Sequence, residues 1–181
     1  GARGSAWASQ TIERNGKFYW YVTVHDGRDF AVGVAVADHP AGPYKDAIGK
    51  ALITSDMTPA NSGVNYDIDP TVFIDDDGQA YIYWGNGAVM GYRLKENMVE
   101  IEQDTICTPL TVQEHEFHEG SSVKKINGKY YYLFADTHRH GDPDRPDGRP
   151  SCLGYAVSDH PMHGFEYGGV YYASEQYDQI F

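Results

Sequence analysis

The sequence has little cysteine, little positive charge and no long apolar run. The only cysteines among its 181 residues are Cys107 and Cys152, which are too few for a disulfide framework. The sequence leaves open whether the two form a disulfide or stay free thiols. Lys and Arg number 14 against 26 Asp and Glu, a net charge of −12, which argues against nucleic acid or an anionic membrane as partner. A membrane-spanning helix needs about 18 apolar residues in succession, and none occur. No secretory signal is visible at the N-terminus, so the localisation stays unknown.

A sustained helical period with capping signals at both ends is also absent. Aromatic residues make up 14% of the chain and glycines number 20. Short Tyr, Val, Ile and Phe runs alternate with Asn-Gly, Asp-Gly and Gly-Pro turns, a pattern typical of hairpin-connected strands. The sequence therefore predicts an all-β protein.

An internal repeat indicates which all-β fold this is. An x-Gly turn followed by an aromatic strand occurs three times, 50 to 62 residues apart, at Asn15-Gly16, Asp77-Gly78 and Asn127-Gly128. Each unit has room for about four antiparallel strands, which favours β-propeller blades over the alternative, a β-sandwich. Propellers close with roughly four to eight blades, so the chain is predicted to hold about three blades of an incomplete ring.

Two carboxylates occupy similar places in successive repeats. Asp69 comes just before Pro70 at the start of a predicted strand, and Glu119 lies at the corresponding point of the next unit. Inner strands of a propeller start near its axis, so both side chains are expected to face the central funnel. Carboxyl groups that face each other across a sugar are what glycoside hydrolysis requires. The alternatives are a turn or cap role for Asp69 and a solvated loop position for Glu119.

Three further residues are candidates for substrate contact. Trp7 begins a blade near the axis and is the preferred platform for stacking on a sugar ring. Trp84 ends a strand, which leaves a packing role and a stacking role both open. His138 lies in the polar segment 137–150, where it is either a substrate contact at the rim or part of a solvated loop.

Together these segments resemble glycoside hydrolase family 43, the five-bladed β-propeller arabinofuranosidases and xylosidases. The matching segments are Trp7-Ala8-Ser9-Gln10, Asp67-Ile68-Asp69-Pro70, Tyr83-Trp84-Gly85-Asn86 and Glu119-Gly120. The resemblance implies an inverting hydrolase of arabinoxylan-derived oligosaccharides or polysaccharides. It also implies that Glu119 is the general acid and that Asp69 tunes the pKa of that acid and orients the substrate.

The same resemblance predicts a partial catalytic domain over residues 1–181. In the family, the third carboxylate, the general base, precedes the segment matched by Trp7, and here only six residues, none acidic, come before it. The first and last blades are thus expected to lie outside this chain. No base and no metal ligand are assigned, and a calcium ion stays open only through the resemblance.

Two further hypotheses follow from an incomplete ring. One is a catalytically impaired, carbohydrate-binding chain that lacks the general base. The other concerns assembly, because an open arc of blades exposes apolar faces that a closed ring buries. Exposed faces of this kind favour association, so a homo-oligomer that covers them is expected.

Overall fold

Three four-stranded antiparallel sheets follow one another along the chain in the computed structural model, which describes residues 6–25, 29–136 and 152–173. The first sheet contains β1 (Ala6–Arg14), β2 (Lys17–His25), β3 (Phe30–Ala37) and β4 (Lys45–Asp46). The second contains β5 (Thr71–Ile74), β6 (Ala80–Trp84), β7 (Ala88–Leu94) and β8 (Ile101–Thr111). The third contains β9 (Phe117–Ile126), β10 (Lys129–Asp136), β11 (Cys152–Ser158) and β12 (Glu166–Ala173).

Within each sheet the strands lie in the order in which they occur in the sequence. This up-and-down order is that of a propeller blade, and it confirms the predicted all-β fold with three blades. Two helical turns were not predicted, the 3₁₀ turn Ser55–Met57 and the α-helical turn α1 (Val112–His115). Thr111 caps α1, and its side chain accepts a hydrogen bond from the backbone N–H of Glu114.

The Asn-Gly turns form two-residue hairpins, as the sequence predicts. Asn15 and Gly16 have φ values of 53° and 75°, and Asn127 and Gly128 have values of 51° and 79°. Positive φ at both central positions is the type I′ geometry, whose twist matches that of the flanking strands. These turns therefore fix the register of β1 with β2 and of β9 with β10.

The first strands of the three sheets, β1, β5 and β9, lie side by side and form the inner wall of the arc. Gln10 on β1 joins the first two sheets there. Its side-chain Nε2 donates to the Val72 carbonyl at 3.0 Å, and its Oε1 accepts from the Val72 N–H. The side-chain amide of Gln10 thus makes the pair of hydrogen bonds that a backbone peptide group makes between paired strands. Here the two strands belong to different sheets.

Two hydrophobic cores lie on opposite faces of the second sheet, and β6 separates them. Ile82 and Trp84 face the first sheet, where they pack with Tyr21. Tyr81 and Tyr83 alternate with them and face the third sheet. All five residues of β6 are buried because both of its faces are covered. Alternate side chains of one strand therefore stabilise two interfaces between blades.

A polar contact joins the second and third sheets at the far end of β5. Lys125 Nζ lies 2.6 Å from Asp75 Oδ1, and the Tyr130 hydroxyl donates to the other carboxylate oxygen. Burial alone raises the pKa of Asp75, but the hydrogen bonds from Lys125 and Tyr130 outweigh it and lower that pKa. Asp75 therefore bridges two blades, and its backbone carbonyl also accepts the Gly78 N–H in the turn that follows β5.

Candidate active site

The structure brings the two predicted carboxylates together at the inner wall. Asp69 lies two residues before the start of β5, and Glu119 is the third residue of β9. The backbone N–H of Gly120 donates to Asp69 Oδ2 at 2.9 Å. Because Gly120 follows Glu119 directly, this bond fixes Asp69 beside the backbone that carries the second carboxylate.

The backbone at Asp69 has an unusual conformation. Its φ of 57° lies in the left-handed region, which Asp tolerates better than most residues other than glycine. Its N–H donates to the Thr23 hydroxyl at 3.0 Å, and Thr23 is completely buried on β2. Contacts from the first and third sheets therefore hold Asp69 in this conformation.

Burial makes Asp69 a weak acid. Loss of solvent is the main cause that raises its pKa, the negative charge of Glu119 adds to it, and the Gly120 N–H opposes it. The result is a pKa of about 6, against an ordinary value of 3.8. Asp69 therefore keeps its proton to a higher pH than a solvated aspartate does, mainly because its ionised form is desolvated.

Glu119 has a different environment from Asp69. The side-chain amide of Asn86 donates to Glu119 Oε2 at 2.9 Å, and His118 Nε2 lies 3.9 Å from the same oxygen. Among residues 6–25, 29–136 and 152–173, no hydrogen bond reaches the other oxygen, Oε1. Glu119 is thus oriented through one oxygen, and the second is available to exchange a proton.

Sequence reasoning did not identify Asn86 as a functional residue. In the sequence, Asn86 is only the last residue of the segment Tyr83-Trp84-Gly85-Asn86, and its hydrogen-bond partner Glu119 lies 33 residues further on. The available signal was its position between two glycines, Gly85 and Gly87, both of which have positive φ.

Trp84 is not a stacking platform, so the prediction that it contacts substrate is wrong. Its side chain has no exposed area, and its ring stacks on Tyr92 with centroids 5.6 Å apart. The indole Nε1 donates to Asp67 Oδ1 at 2.8 Å. No face of the indole is open to a sugar, so Trp84 holds the core beneath the site.

Of the other two predicted substrate contacts, the structure describes Trp7 but not His138. Trp7 is 42% exposed and meets Phe30 edge to face, with centroids 5.0 Å apart. Phe30 in turn meets Tyr66, which is also exposed. Trp7 thus lies in an accessible aromatic cluster near the start of the inner strands. His138 lies outside the described residues.

A polar groove runs along the inner strands and contains Asp69. Its volume is about 340 Å³. It is lined by Ala8, Ser9, Gln10, Asp69, Pro70, Thr71, Gly120, Ser121 and Ser122. Hydroxyl, amide and carboxyl groups of this kind match the hydrogen-bonding groups of a sugar, and the neighbouring carboxyls can exchange protons with it.

The described residues offer no gathered metal ligands. Across the three described ranges, no cluster of three or more His, Cys, Asp or Glu side chains is arranged to hold an ion. In the same residues, no helix is long and apolar enough to cross a bilayer.

Relatives of known activity match most of the chain. An arabinoxylan arabinofuranohydrolase of Paenibacillus polymyxa is 34% identical over 91% of this chain and 27% of its own length. A β-xylosidase of Xylanibacter ruminicola is 30% identical over 91% of this chain and 56% of its own length. The chain thus spans between about a quarter and somewhat more than half the length of these two relatives.

Solved structures agree with the propeller architecture. An α-L-arabinofuranosidase of Clostridium thermocellum superposes with a TM-score of 0.76 at 33% identity, over 92% of this chain and 52% of that one. A family 43 arabinoxylan arabinofuranohydrolase of Bacillus subtilis, in complex with cellotetraose, gives 0.72 at 31% identity, over 92% and 36%. The sequence profile of glycosyl hydrolases family 43 matches residues 1–159. The chain therefore belongs to glycosyl hydrolase family 43.

Proposed function

We propose that this chain is part of the catalytic domain of an inverting glycoside hydrolase that acts on arabinoxylan-derived substrates. Either an α-L-arabinofuranosidase or a β-xylosidase activity fits the family. The observation that carries the proposal is the pairing of Asp69 with Glu119 through the Gly120 N–H at the polar groove. The relatives named above support it, since one is an arabinoxylan arabinofuranohydrolase and the other is a β-xylosidase.

In the proposed reaction Glu119 is the general acid. Its proton passes to the glycosidic oxygen as the bond to the sugar carbon breaks, and the electron pair of that bond stays with the leaving alcohol. Asp69 adjusts the proton affinity of Glu119, since each carboxylate charge opposes the ionisation of the other. In an inverting enzyme a water forms the new bond to the sugar carbon from the opposite face, and a base about 6.5–9.5 Å from the acid takes the proton of that water. We assign no described residue to that role.

Trp7 and His138 are proposed as substrate contacts. The exposed indole of Trp7 offers an apolar face on which the C–H surface of a sugar ring can stack. His138 belongs to the segment 137–150, which follows β10 on the chain. Removal of the Trp7 ring is expected to raise KM more than it lowers kcat, because stacking stabilises the bound substrate and the transition state to a similar extent.

The proposal is tested by hydrolysis of nitrophenyl α-L-arabinofuranoside and nitrophenyl β-D-xyloside. Glu119→Gln and Asp69→Asn are each expected to lower strongly whatever release of nitrophenol the chain shows. Glu114→Gln, at an exposed position in α1, is the control and should leave that rate unchanged. Wild-type rates in both site variants would contradict the assignment. Sugar binding by calorimetry without any product would indicate the carbohydrate-binding alternative.

We also propose that the 181-residue chain self-associates through the open faces of its blades, which a closed ring would bury. Leu153, Val170 and Tyr171 on β11 and β12 are apolar side chains between 38% and 50% exposed. Covering them would remove apolar area from water, which is the usual driving force of association.

A further inference from the structure

One short turn contacts the backbone beside both carboxylates. The N–H of Gly85 donates to the carbonyl of Ile68 at 2.8 Å, and the N–H of Gly87 donates to the carbonyl of His118, also at 2.8 Å. Ile68 immediately precedes Asp69, and His118 immediately precedes Glu119. The turn 85–87 therefore fixes the two chain segments that carry the acids relative to each other.

The residue between those glycines reaches one acid directly. Asn86 is only 9% exposed, and its Nδ2 donates to Glu119 Oε2 at 2.9 Å. An ionised carboxylate can only accept hydrogen bonds, so the NH₂ end of the amide must face Glu119. The carbonyl end then faces away, where it needs a donor.

Asn65 supplies that donor. The side-chain Nδ2 of Asn65 donates to the side-chain Oδ1 of Asn86 at 3.2 Å, and the backbone N–H of Asn65 donates to the backbone carbonyl of Asn86 at 2.9 Å. Asn65 thus holds Asn86 at two points and fixes the direction of its amide. Gly87 leaves space for this arrangement, since a Cβ atom there would lie 2.5 Å from Asn65 Nδ2.

We propose that Asn86, oriented by Asn65, is the positioning residue for Glu119. This rests on the proposed function of Glu119 as the acid. The amide occupies Oε2 and so leaves Oε1 as the oxygen that carries the proton. When that proton passes to the leaving oxygen, negative charge develops on a carboxylate whose hydrogen-bond donor is already aligned. The donor need not reorient during the reaction, and this preorganisation is the contribution of Asn86.

The first test uses NMR and needs no turnover. The side-chain NH₂ signals of Asn86 in the ¹⁵N-labelled chain are followed as the pH is lowered through the ionisation of the site. We expect them to shift as Glu119 takes up its proton, and we expect the shift to vanish in Glu119→Gln but persist in Asp69→Asn. A response that is flat in the wild type, or unchanged in Glu119→Gln, would overturn the proposal.

Asn65→Ala tests the orientation step and does not remove either partner of the Asn86–Glu119 bond. Without its second partner the Asn86 amide is free to turn, so its pH response is expected to shrink by about half or more. Asn97 provides a matched control, because its Nδ2 donates to Glu100 at 2.7 Å on the exposed surface. Asn97→Ala should leave the Asn86 response unaltered. An undiminished response in a folded Asn65→Ala would contradict the orienting role.

The second test is kinetic and separates positioning from general stability. Asn86→Ala is expected to lower kcat by about 10- to 100-fold with a small change in KM, the usual cost of a misplaced catalytic group. The pH–rate profile should also change shape, whereas Asn97→Ala should leave both rate and profile unchanged. If Glu119→Gln retains wild-type activity while the NMR response of Asn86 is as expected, the proposed function is wrong and the coupling stands. If Glu119→Gln is inactive but the NMR response is flat, the proposed function stands and the positioning role of Asn86 is wrong.

Discussion

Asp69 and Glu119 have different environments although they lie close together. Asp69 is held by a buried hydroxyl on one side and by the Gly120 N–H on the other. Glu119 is half-exposed and is contacted through a single oxygen. The two acids therefore differ in their burial and in the groups that donate hydrogen bonds to them, and the negative charge of either one opposes ionisation of the other.

The raised pKa of Asp69 has a consequence for stability. Its unfolded value is near 3.8 and its folded value is about 6. Between these values the folded state holds a proton that the unfolded state has released, so the contribution of Asp69 to stability falls as pH rises. It is fully present below about pH 4 and is lost by about pH 6 to 7. Asp69→Asn should remove this dependence.

Denaturant unfolding between pH 4 and pH 7 measures the effect. The stability of the wild type relative to Asp69→Asn is expected to decline across that interval and to level off above it. Asn is a suitable replacement because it also tolerates the left-handed backbone at this position. A difference between the two proteins that does not change with pH would contradict the raised pKa.

Some of the site residues could be predicted from the sequence and others could not. Asp69 and Glu119 occupy equivalent places in a repeat, and that equivalence is visible in one sequence. The burial of Trp84 and the contact of Asn86 with Glu119 depend on how neighbouring sheets pack. Trp84 bonds to Asp67, 17 residues away, and Asn86 to a residue 33 away. Neither distance corresponds to a local period or turn rule.

At the scale of elements, the turn after β6 contributes both to the stability of the fold and to the geometry of the site. Gly85 has a φ of 133°, and a Cβ atom there would lie 2.1 Å from the Ala88 carbonyl oxygen. Gly85→Ala therefore adds a backbone clash to backbone strain of about 1–3 kcal/mol. It should lower the free energy of unfolding and also disturb the orientation of Asn86.

Gly78 is the matched control for this substitution. Its φ is also positive, at 85°, but a Cβ atom would meet nothing within 4 Å. Gly78→Ala should carry the strain alone, so Gly85→Ala is expected to lose clearly more stability in denaturant unfolding. Equal losses in the two variants would show that the close approach to Ala88 can relax freely.

The contact between Asp75 and Lys125 joins the second and third blades. The Asp75 side chain is only 7% exposed, whereas that of Asp76, which also approaches Lys125, is 86% exposed. Asp75→Ala should therefore lower Tm more than Asp76→Ala does, because it leaves Lys125 and Tyr130 without their buried partner. The wild-type advantage over Asp75→Ala should also fade as the pH drops below about 4, since the lowered pKa of Asp75 stabilises only the ionised state.

A thermal melt of both variants at neutral and acidic pH checks this. Equal Tm values for Asp75→Ala and Asp76→Ala at neutral pH would contradict a bridging role for Asp75.

The elements themselves were predicted unequally well. The hairpins at Asn15-Gly16 and Asn127-Gly128 follow from turn chemistry that two residues determine. The helical turn Val112–His115 was not predicted, because four residues are too few to show a helical period. Its place depends on His115, which is buried and bonds through Nε2 to the Phe165 carbonyl at 2.9 Å. That contact spans 50 residues and arises only when the sheet has formed.

At the scale of the whole molecule, the three blades form an arc with two cores and apolar side chains on its outer strands. If these faces associate, the 181-residue chain should form a dimer or larger oligomer at micromolar concentration in size-exclusion chromatography with light scattering. Leu153→Lys, which places charge on the outer strands, should shift that equilibrium toward monomer, whereas Lys124→Glu should not. A monodisperse monomeric wild type would contradict the proposed self-association.

The central claim is that Glu119 protonates the leaving oxygen, and the dependence of rate on the leaving group tests it most directly. Wild type and Glu119→Gln are compared on a series of aryl and alkyl glycosides of the preferred sugar. A dinitrophenolate departs without a proton, whereas a sugar alcohol needs one. The loss in Glu119→Gln should therefore be small for the dinitrophenyl glycoside and about 10²- to 10⁴-fold for the alkyl glycoside. A loss of the same size across the whole series, or none, would contradict the claim.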